Sequence, residues 1–467
     1  MFVTGFFISV GQNTPKIWTL EDCINYALDH NLDIKKQVLS VEANKKQLLQ
    51  SQLNLLPDLN ANATNVWNFG QTIDMYTNTF ATSTVRSNNF YLQSSATLFS
   101  GLTKVNTIKQ NKINLLASQY DLDILKNNIS LAVAGYFLDM LLNQELYEVS
   151  QNQIGITKTQ VERISKMVEA GSSAKGDLLN IQAQESAEAL AVVQAENRLI
   201  ISRLSLQQLI DLPVSPDFQI EKPLLKPVEQ SSERLSPDQV FAFAVEKRPE
   251  IKSADLRVQS AQKSLAIARG VLYPSLSFGG SWGTGYSGAS KEVESSVIKR
   301  EMIGITQHTL DTVWGYYPST TYKDKDFNKQ LKDNNNKSLG FYLRIPIFNG
   351  WSGRTNISLA KIQREKAEID LEIQKRDLRK NIEQAYTDAS AALQQYNASL
   401  QKVAAQEESF KYTQQKFDVG MMTSYDYNNS KKDLTKAESD LLQAKYDFIF
   451  KTTILEFYMG KPISINK

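Results

Sequence analysis

Apolar residues recur at steps of three and four from Leu20 to Pro57, and again from Pro237 to Pro274. That period sets them on one helix face. Helices are therefore expected over 20–56 and 237–273, with Thr19 and Ser236-Pro237 as starts and acids in the first turn. Pro57 and Pro274 end them, because proline lacks the N–H and clashes with the preceding turn. The period then changes to two. Leu59, Ala61 and Ala63 alternate with Asn60, Asn62 and Thr64, and Leu276, Phe278 and Trp282 alternate with Ser275, Ser277 and Ser281. A second alternating run follows each time, with Phe90, Leu92, Ala96 and Leu98 in one and Phe341, Leu343, Ile345 and Ile347 in the other. Two β-hairpins are predicted, in a sheet with one greasy and one wet face. A soluble antiparallel sheet would alternate in the same way. Aromatics at the strand ends (Trp67, Phe69, Tyr91, Trp282, Tyr286, Tyr342, Trp351) favour a membrane-interface girdle.

Residues 102–170 and 351–419 contain no proline and read as single helices. At ~1.5 Å per residue each would be about 100 Å long, which implies coiled coil. Leu378, Ile382, Ala385, Ala389, Ala392, Tyr396, Ser399 and Val403 follow steps of four and three, the period of a left-handed supercoil. Helices over 178–211 and 427–459 are about half as long, as are the first helices. Two short helices end to end would match one long one.

The chain repeats itself. At an offset of 217, Ala27 meets Ala244, Ile34 meets Ile251, Leu39 meets Leu256 and Pro57 meets Pro274. At an offset of 249, Phe99-Ser-Gly101 meets Phe348-Asn-Gly350, Gly171 meets Gly420, Asp177 meets Asp426 and Pro213 meets Pro462. The change of offset is a 32-residue insertion in the second copy, expected as a polar loop within 288–337 that enlarges the second hairpin. Two structural repeats follow, 12–234 and 235–467, each reading helix, β-hairpin, long helix, turn, helix. Pro213, Pro216, Pro223, Pro227 and Pro237 mark a non-helical join.

Composition narrows the class. A net charge of +2 argues against a nucleic-acid binder. One cysteine, Cys23, excludes an intramolecular disulfide and reads as an ordinary helix residue; with only His30 and His308 beside it, a His/Cys metal site is not expected. No cofactor is implied, and no convergent acid, base or nucleophile set marks an enzyme. Asp/Glu pairs on the helices read as solvated faces. Gly171 to Gly176 has the spacing of a phosphate loop, but Asp177 stands where the lysine belongs. Phe2–Val10 is a short apolar run, and residues 1–11 read as a signal-peptide remnant with Ser9 and Gly11 before a cut at Gln12. No stretch is apolar enough for a transmembrane helix, which leaves a β-barrel open. Four strands cannot close a barrel, and open edges are not tolerated in lipid. Closure demands an oligomer, and three protomers give twelve strands.

The chain resembles the TolC-like outer membrane efflux proteins over nearly its whole length. The resemblance is carried by the duplication and by the opening Trp18-Thr-Leu-Glu-Asp-Cys-Ile-Asn-Tyr-Ala-Leu. The corners Leu56-Pro57-Asp-Leu and Ile345-Pro-Ile-Phe-Asn-Gly350 add to it, as do the turns Ala170-Gly-Ser-Ser-Ala-Lys-Gly-Asp177 and Val419-Gly-Met-Met-Thr-Ser-Tyr-Asp426. It implies an α+β membrane protein: a homotrimer with a twelve-stranded β-barrel in the outer membrane of a Gram-negative bacterium, four strands per protomer, continued through the periplasm by a long α-helical coiled-coil barrel. Implied partners are a periplasmic adaptor, an inner-membrane pump of RND or ABC type and outer membrane lipid; export would be passive. The family carries a second glycine after the corner glycine, where Leu102 and Trp351 stand here.

The resemblance also places the turns at Gly171 and Gly420 at the periplasmic tip aperture. In the family's best-known member, an arginine and a tyrosine of the second-copy tip hold the first-copy aspartate, here Asp177. Those positions are Met422 and Phe417, so that lock lacks both its guanidinium and its phenol. A further family aspartate is replaced by Asn429. Closure by apolar packing of Met421, Met422 and Phe417 is the expectation, with three copies of Asp426 forming an acidic, cation-favouring ring. The other reading is that these are plain helix-turn residues. A soluble or surface-attached coiled-coil scaffold without channel activity stays open as an alternative.

Overall fold

The computed structural model describes residues 16–81, 84–223 and 236–463. The expected signal segment and Pro227 of the join lie outside these. Strand β1 (Ile17–Trp18) leads into Thr19, whose hydroxyl accepts the Asp22 N–H at 3.0 Å while the Asp22 carboxylate accepts the Thr19 N–H at 3.2 Å. This capping box starts α1 (Leu20–His30). The predicted helix over 20–56 is in fact broken at Asn31, and α2 (Leu32–Leu53) continues after it. Asn31 has extended ψ, and its amide oxygen caps the N–H groups of Asp33 and Ile34 at 2.9 and 3.2 Å.

Strands β2 (Asn60–Asn68), β3 (Thr72–Ile73), β4 (Phe80–Ala81) and β5 (Val85–Ser100) follow, then α3 (Thr103–Glu169) and α4 (Lys175–Leu209). After β6 (Gln219–Ile220), which pairs parallel with β1, the order begins again. Ser236 and Gln239 form the second capping box before α5 (Pro237–Lys247), and α6 (Pro249–Gly270) comes after a break at Arg248. Here Pro249 causes the break, since the residue before proline is pushed out of the helical region.

Next come β7 (Ser275–Ser287), β8 (Lys291–Ile305), β9 (Thr312–Asp324), α7 (Phe327–Asp333) and β10 (Asn336–Arg344). Helices α8 (Ser352–Asp418) and α9 (Ser424–Tyr458) close the order. Helices α3 and α8 are 67 residues each, and α4 and α9 are 35 each.

Two compact units result, and each draws on both copies of the sequence repeat. One holds residues up to 46, 112–260 and from 364 on; the other holds 47–111 and 261–363. The division thus cuts across 12–234 and 235–467. In the first unit, Cys23, Ala27, Val133, Phe137, Leu141 and Leu206 form one core, and Val240, Ala244, Leu378 and Ile382 another. The coiled-coil pattern is realised: Leu378, Ile382, Ala385, Ala389, Ala392 and Val403 are buried, and Tyr396 stacks on Phe448. Burial pushes the Cys23 thiol up to about 12, so it is packed and inert.

The second unit is built on an antiparallel sheet of order β10-β7-β5-β2. Its register puts Leu92, Ala96, Leu276, Phe278, Trp282, Leu339, Phe341 and Leu343 on one face. Asn60, Asn62, Gln93, Ser95, Ser277, Ser281 and Ser338 are on the other, and Tyr91 and Tyr342 stand with them, so these two of the expected girdle aromatics lie on the polar face. Three details depart from the expected alternation. Leu98 is the extra residue of a bulge between Thr97 and Phe99. Ile345 and Ile347 lie beyond β10, which ends before Pro346. The insertion is not a loop: 291–324 is a long β-ribbon and 327–333 a helix.

At the strand-to-helix corners, Gly101 and Leu102 have φ of 61° and 60°, and Gly350 and Trp351 have 63° and 66°. The second left-handed position is where the family pattern has glycine. An L-residue there costs about 1–2 kcal/mol. Leu102 is exposed, so its side chain contributes little packing. Leu102→Gly is expected to stabilise the protein by about 0.5–1 kcal/mol after the entropy of the added glycine is subtracted. A thermal melt beside the parent protein checks the sign.

Candidate functional site

The two helix-turn-helix ends lie in the first unit and share one design. Gly171 and Gly420 have φ of 73° and 76°, the left-handed state that glycine adopts freely. Around each, a pair of backbone bonds closes the long helix. Gly171 N–H donates to Val168 O (3.0 Å) and Ser172 N–H to Met167 O (2.8 Å); Gly420 N–H donates to Phe417 O (3.0 Å) and Met421 N–H to Lys416 O (2.9 Å). This is the Schellman closure. The next helices start at Lys175 and Ser424, three residues before the expected positions, so Asp177 and Asp426 fall within their first turns. A carboxylate there complements the positive helix end.

The two aspartates are used differently. Asp426 is spent locally: the Thr423 hydroxyl donates to its carboxylate at 2.7 Å and accepts its N–H at 3.2 Å. Asp177 reaches across to the second repeat. The Ser424 hydroxyl, buried, donates to its Oδ1 at 2.6 Å, and Ser173 donates to Oδ2 at 3.2 Å. The first-copy aspartate is therefore bonded by a second-copy residue, Ser424, although Met422 and Phe417 offer it neither guanidinium nor phenol.

Phe417 packs in an aromatic cluster. It stacks on Tyr427 at 4.6 Å between ring centroids, and Phe410 meets the same ring at 5.4 Å. Met421 is 76% exposed, Met422 half-buried and Asn429 exposed. Arg163 of α3 reaches Asp418 of α8 at 2.6 Å, an exposed pair worth little by itself.

Behind the turns lies a buried ion pair. Lys431 is 4% exposed and donates to Glu188 Oε1 (3.2 Å), to the Gln153 carbonyl (2.9 Å) and to the Thr157 hydroxyl. It thus ties α9 to both α3 and α4. Burial lowers its pKa, and Glu188 opposes that shift. Gln184 also donates to Glu188, at 2.9 Å. Sequence reading missed Ser424, Tyr427, Lys431 and Glu188. One signal was present: Ser424, Tyr427, Lys431, Leu434 and Ala437 share a buried face, so a lysine stands in an apolar register.

Comparison with known proteins bears on the family and the fold. The sequence model described as outer membrane efflux protein matches residues 23–211 and 243–461. The outer membrane efflux protein BepC of Brucella suis is 21% identical over 360 residues, covering 77% of this chain and 69% of BepC. The alkaline protease secretion protein AprF of Pseudomonas aeruginosa is 21% identical over 325 residues, 68% of this chain and 59% of AprF. The fold is similar to the Campylobacter jejuni CmeC outer membrane channel, with a TM-score of 0.76 at 16% identity, covering 96% of this chain and 87% of that one.

Proposed function

The chain belongs to the outer membrane efflux protein family, channels of the Gram-negative outer membrane with a helical extension into the periplasm, and from that premise we propose that it works as a homotrimeric channel-tunnel. The observation that carries the reading is the four-stranded sheet. One face is apolar and exposed, and strands β2 and β10 each leave one edge unpaired among the described residues. In lipid such edges must be paired. Three copies joined β10 to β2 close a twelve-stranded barrel with the apolar face toward lipid and the serine- and asparagine-rich face toward water.

In this reading the two structural repeats, 12–234 and 235–467, supply the helices of the periplasmic tunnel. A periplasmic adaptor and an inner-membrane pump, of RND or ABC type, deliver the substrate. BepC is named for efflux and AprF for protease secretion; the channel serves either, since the pump makes the selection.

The tip narrows the path at Gly171, Asp177, Phe417, Gly420, Met421, Met422, Asp426 and Asn429. Met421 and Met422 face the axis with their counterparts, and three Asp426 carboxylates favour cations. Met422→Ala is expected to raise single-channel conductance in planar bilayers, and an unchanged trace would remove Met422 from the aperture. The channel itself is tested by light scattering in detergent. A trimer that fractionates with outer membranes supports it. A monomer or dimer that stays soluble without detergent would mean a coiled-coil scaffold instead.

A further inference from the structure

The ribbon β8–β9 is firmly rooted and has no cover. At its base, the buried Gln330 side chain accepts the Ser287 N–H at 2.9 Å and donates to the carbonyls of Ser287 and Lys325 at 3.1 and 2.9 Å. The Ser287 hydroxyl donates to the buried Asp74 carboxylate, which also accepts the N–H groups of Tyr76 and Thr77. Lys323 and Lys329 both pair with Glu292. Above that base β8 and β9 pair only with each other among the described residues.

The register sorts the ribbon into two unlike faces. Ile298 pairs with Pro318, Arg300 with Tyr316 and Met302 with Trp314, all on one face. Ser295, Thr321, Lys299, Glu301 and Ser319 lie on the other, with Val297 and Tyr317. On the apolar face Ile298 is 71% and Tyr316 70% exposed, and the Arg300 guanidinium covers part of the Trp314 ring at 4.4 Å. A two-stranded ribbon with one greasy face is marginal in water and needs a partner for that face.

A second uncovered apolar surface exists at the same end of the sheet. The β3–β4 lobe exposes Phe69, Ile73, Met75 and Phe80, the last two at 69% and 71%. It springs from β2 after Asn68, which pairs with Val85; the ribbon springs from β7 after Ser287, which pairs with Ser87. The lobe leaves β2 and is tied through Asp74 to the Ser287 root of its own ribbon, whereas the ribbon and α7 lead directly into the β10 edge.

We propose that the apolar face of the ribbon docks on the Phe69–Ile73–Met75–Phe80 lobe of the neighbouring copy. This rests on the reading that β10 of one copy pairs with β2 of the next, because that seam sets the strand into which one ribbon leads beside the strand from which the next copy's lobe springs. Reach is ample: 13 residues of strand at ~3.4 Å span about 44 Å, against ~4.8 Å between paired strands. The contact is head-to-tail, so it closes in a ring together with the sheet. It forms a second inter-copy contact outside the membrane-facing sheet and turns the insertion into a strap between copies.

The test uses two full-length chains in a Cys23→Ser background, one carrying Met75→Cys and the other Tyr316→Cys. Both positions are exposed, and melting curves check that each variant folds. After co-expression and extraction in detergent, a short bifunctional maleimide is expected to yield a covalent dimer of the two different chains. Adding Ile298→Lys to the second chain should abolish that band. A full-size multimer by light scattering without the heterotypic band overturns the strap but leaves the channel standing. Quenching of a fluorophore on Tyr316→Cys by spin-labelled lipid would assign the face to the bilayer, and also overturns it. A monomer in detergent overturns both readings.

Discussion

Glu188→Ala is expected to lower the stability of the helical unit by about 3–5 kcal/mol, the usual cost of leaving a buried charge without its partner. The loss does not come from a favourable pair simply going missing. Lys431 is held among α3, α4 and α9, with the Gln153 carbonyl and the Thr157 hydroxyl as its other acceptors. Neither carries charge. Without Glu188, desolvation acts unopposed on an ammonium whose pKa is already lowered from 10.5.

The sign with pH follows. The folded pKa lies below the unfolded value, so the unfolded chain binds more protons between the two. The deficit of the variant is therefore full below the folded pKa and shrinks as pH rises toward 10.5. Glu188→Ala combined with Lys431→Met should recover much of the loss, because an apolar pair needs no desolvation. Melts of the parent, both single variants and the double variant give the coupling directly. Full additivity would mean that the ion pair does not hold these helices.

Gly101→Ala should be the second severe change. A Cβ built there would stand 2.1 Å from the Gly270 carbonyl oxygen and 2.9 Å from the Tyr273 Cβ. The obstacle is backbone and cannot rotate away. Gly101 also has φ of 61°. The left-handed conformation costs about 1–2 kcal/mol for alanine, and overpacking adds about 1–3 kcal/mol. The matching corner provides the control: Gly350 has φ of 63° but open space around its Cβ position. Gly350→Ala should therefore show the conformational cost alone, and the difference between the two melts measures the collision. Equal losses would show that the corner at Gly101 yields.

Most of the element order is legible because it rests on period. Steps of three and four mark α1, α2, α5, α6 and α8, the long proline-free runs mark α3 and α8, and alternation runs through β2, β5, β7 and β10. The break at Arg248 is written in Pro249, whereas the break at Asn31 depends on a side chain turning back on the next two N–H groups. The ribbon was hidden by its polar neighbours: Val293, Val297, Ile298 and Met302 are interrupted by charges and by two bulges, so no clean alternation survives. At the tip, glycine positions and first-turn acids are local signals and could be read. The Ser424–Asp177 and Lys431–Glu188 contacts join residues more than 240 positions apart. Only the lysine's misplaced polarity hinted at them.

The sheet also constrains the order in which the molecule can be made. Its middle ladder joins residues 87–100 to residues 275–287. During synthesis from the N-terminus, β2 and β5 emerge early as a hairpin whose apolar side has nothing to continue it. The third strand begins only about 175 residues later, and such distant pairing is intrinsically slow. In the interval the helices between them have already been made. A nascent chain stopped anywhere before β7 therefore carries a half-made sheet, with the β5 edge unpaired and its apolar side uncovered.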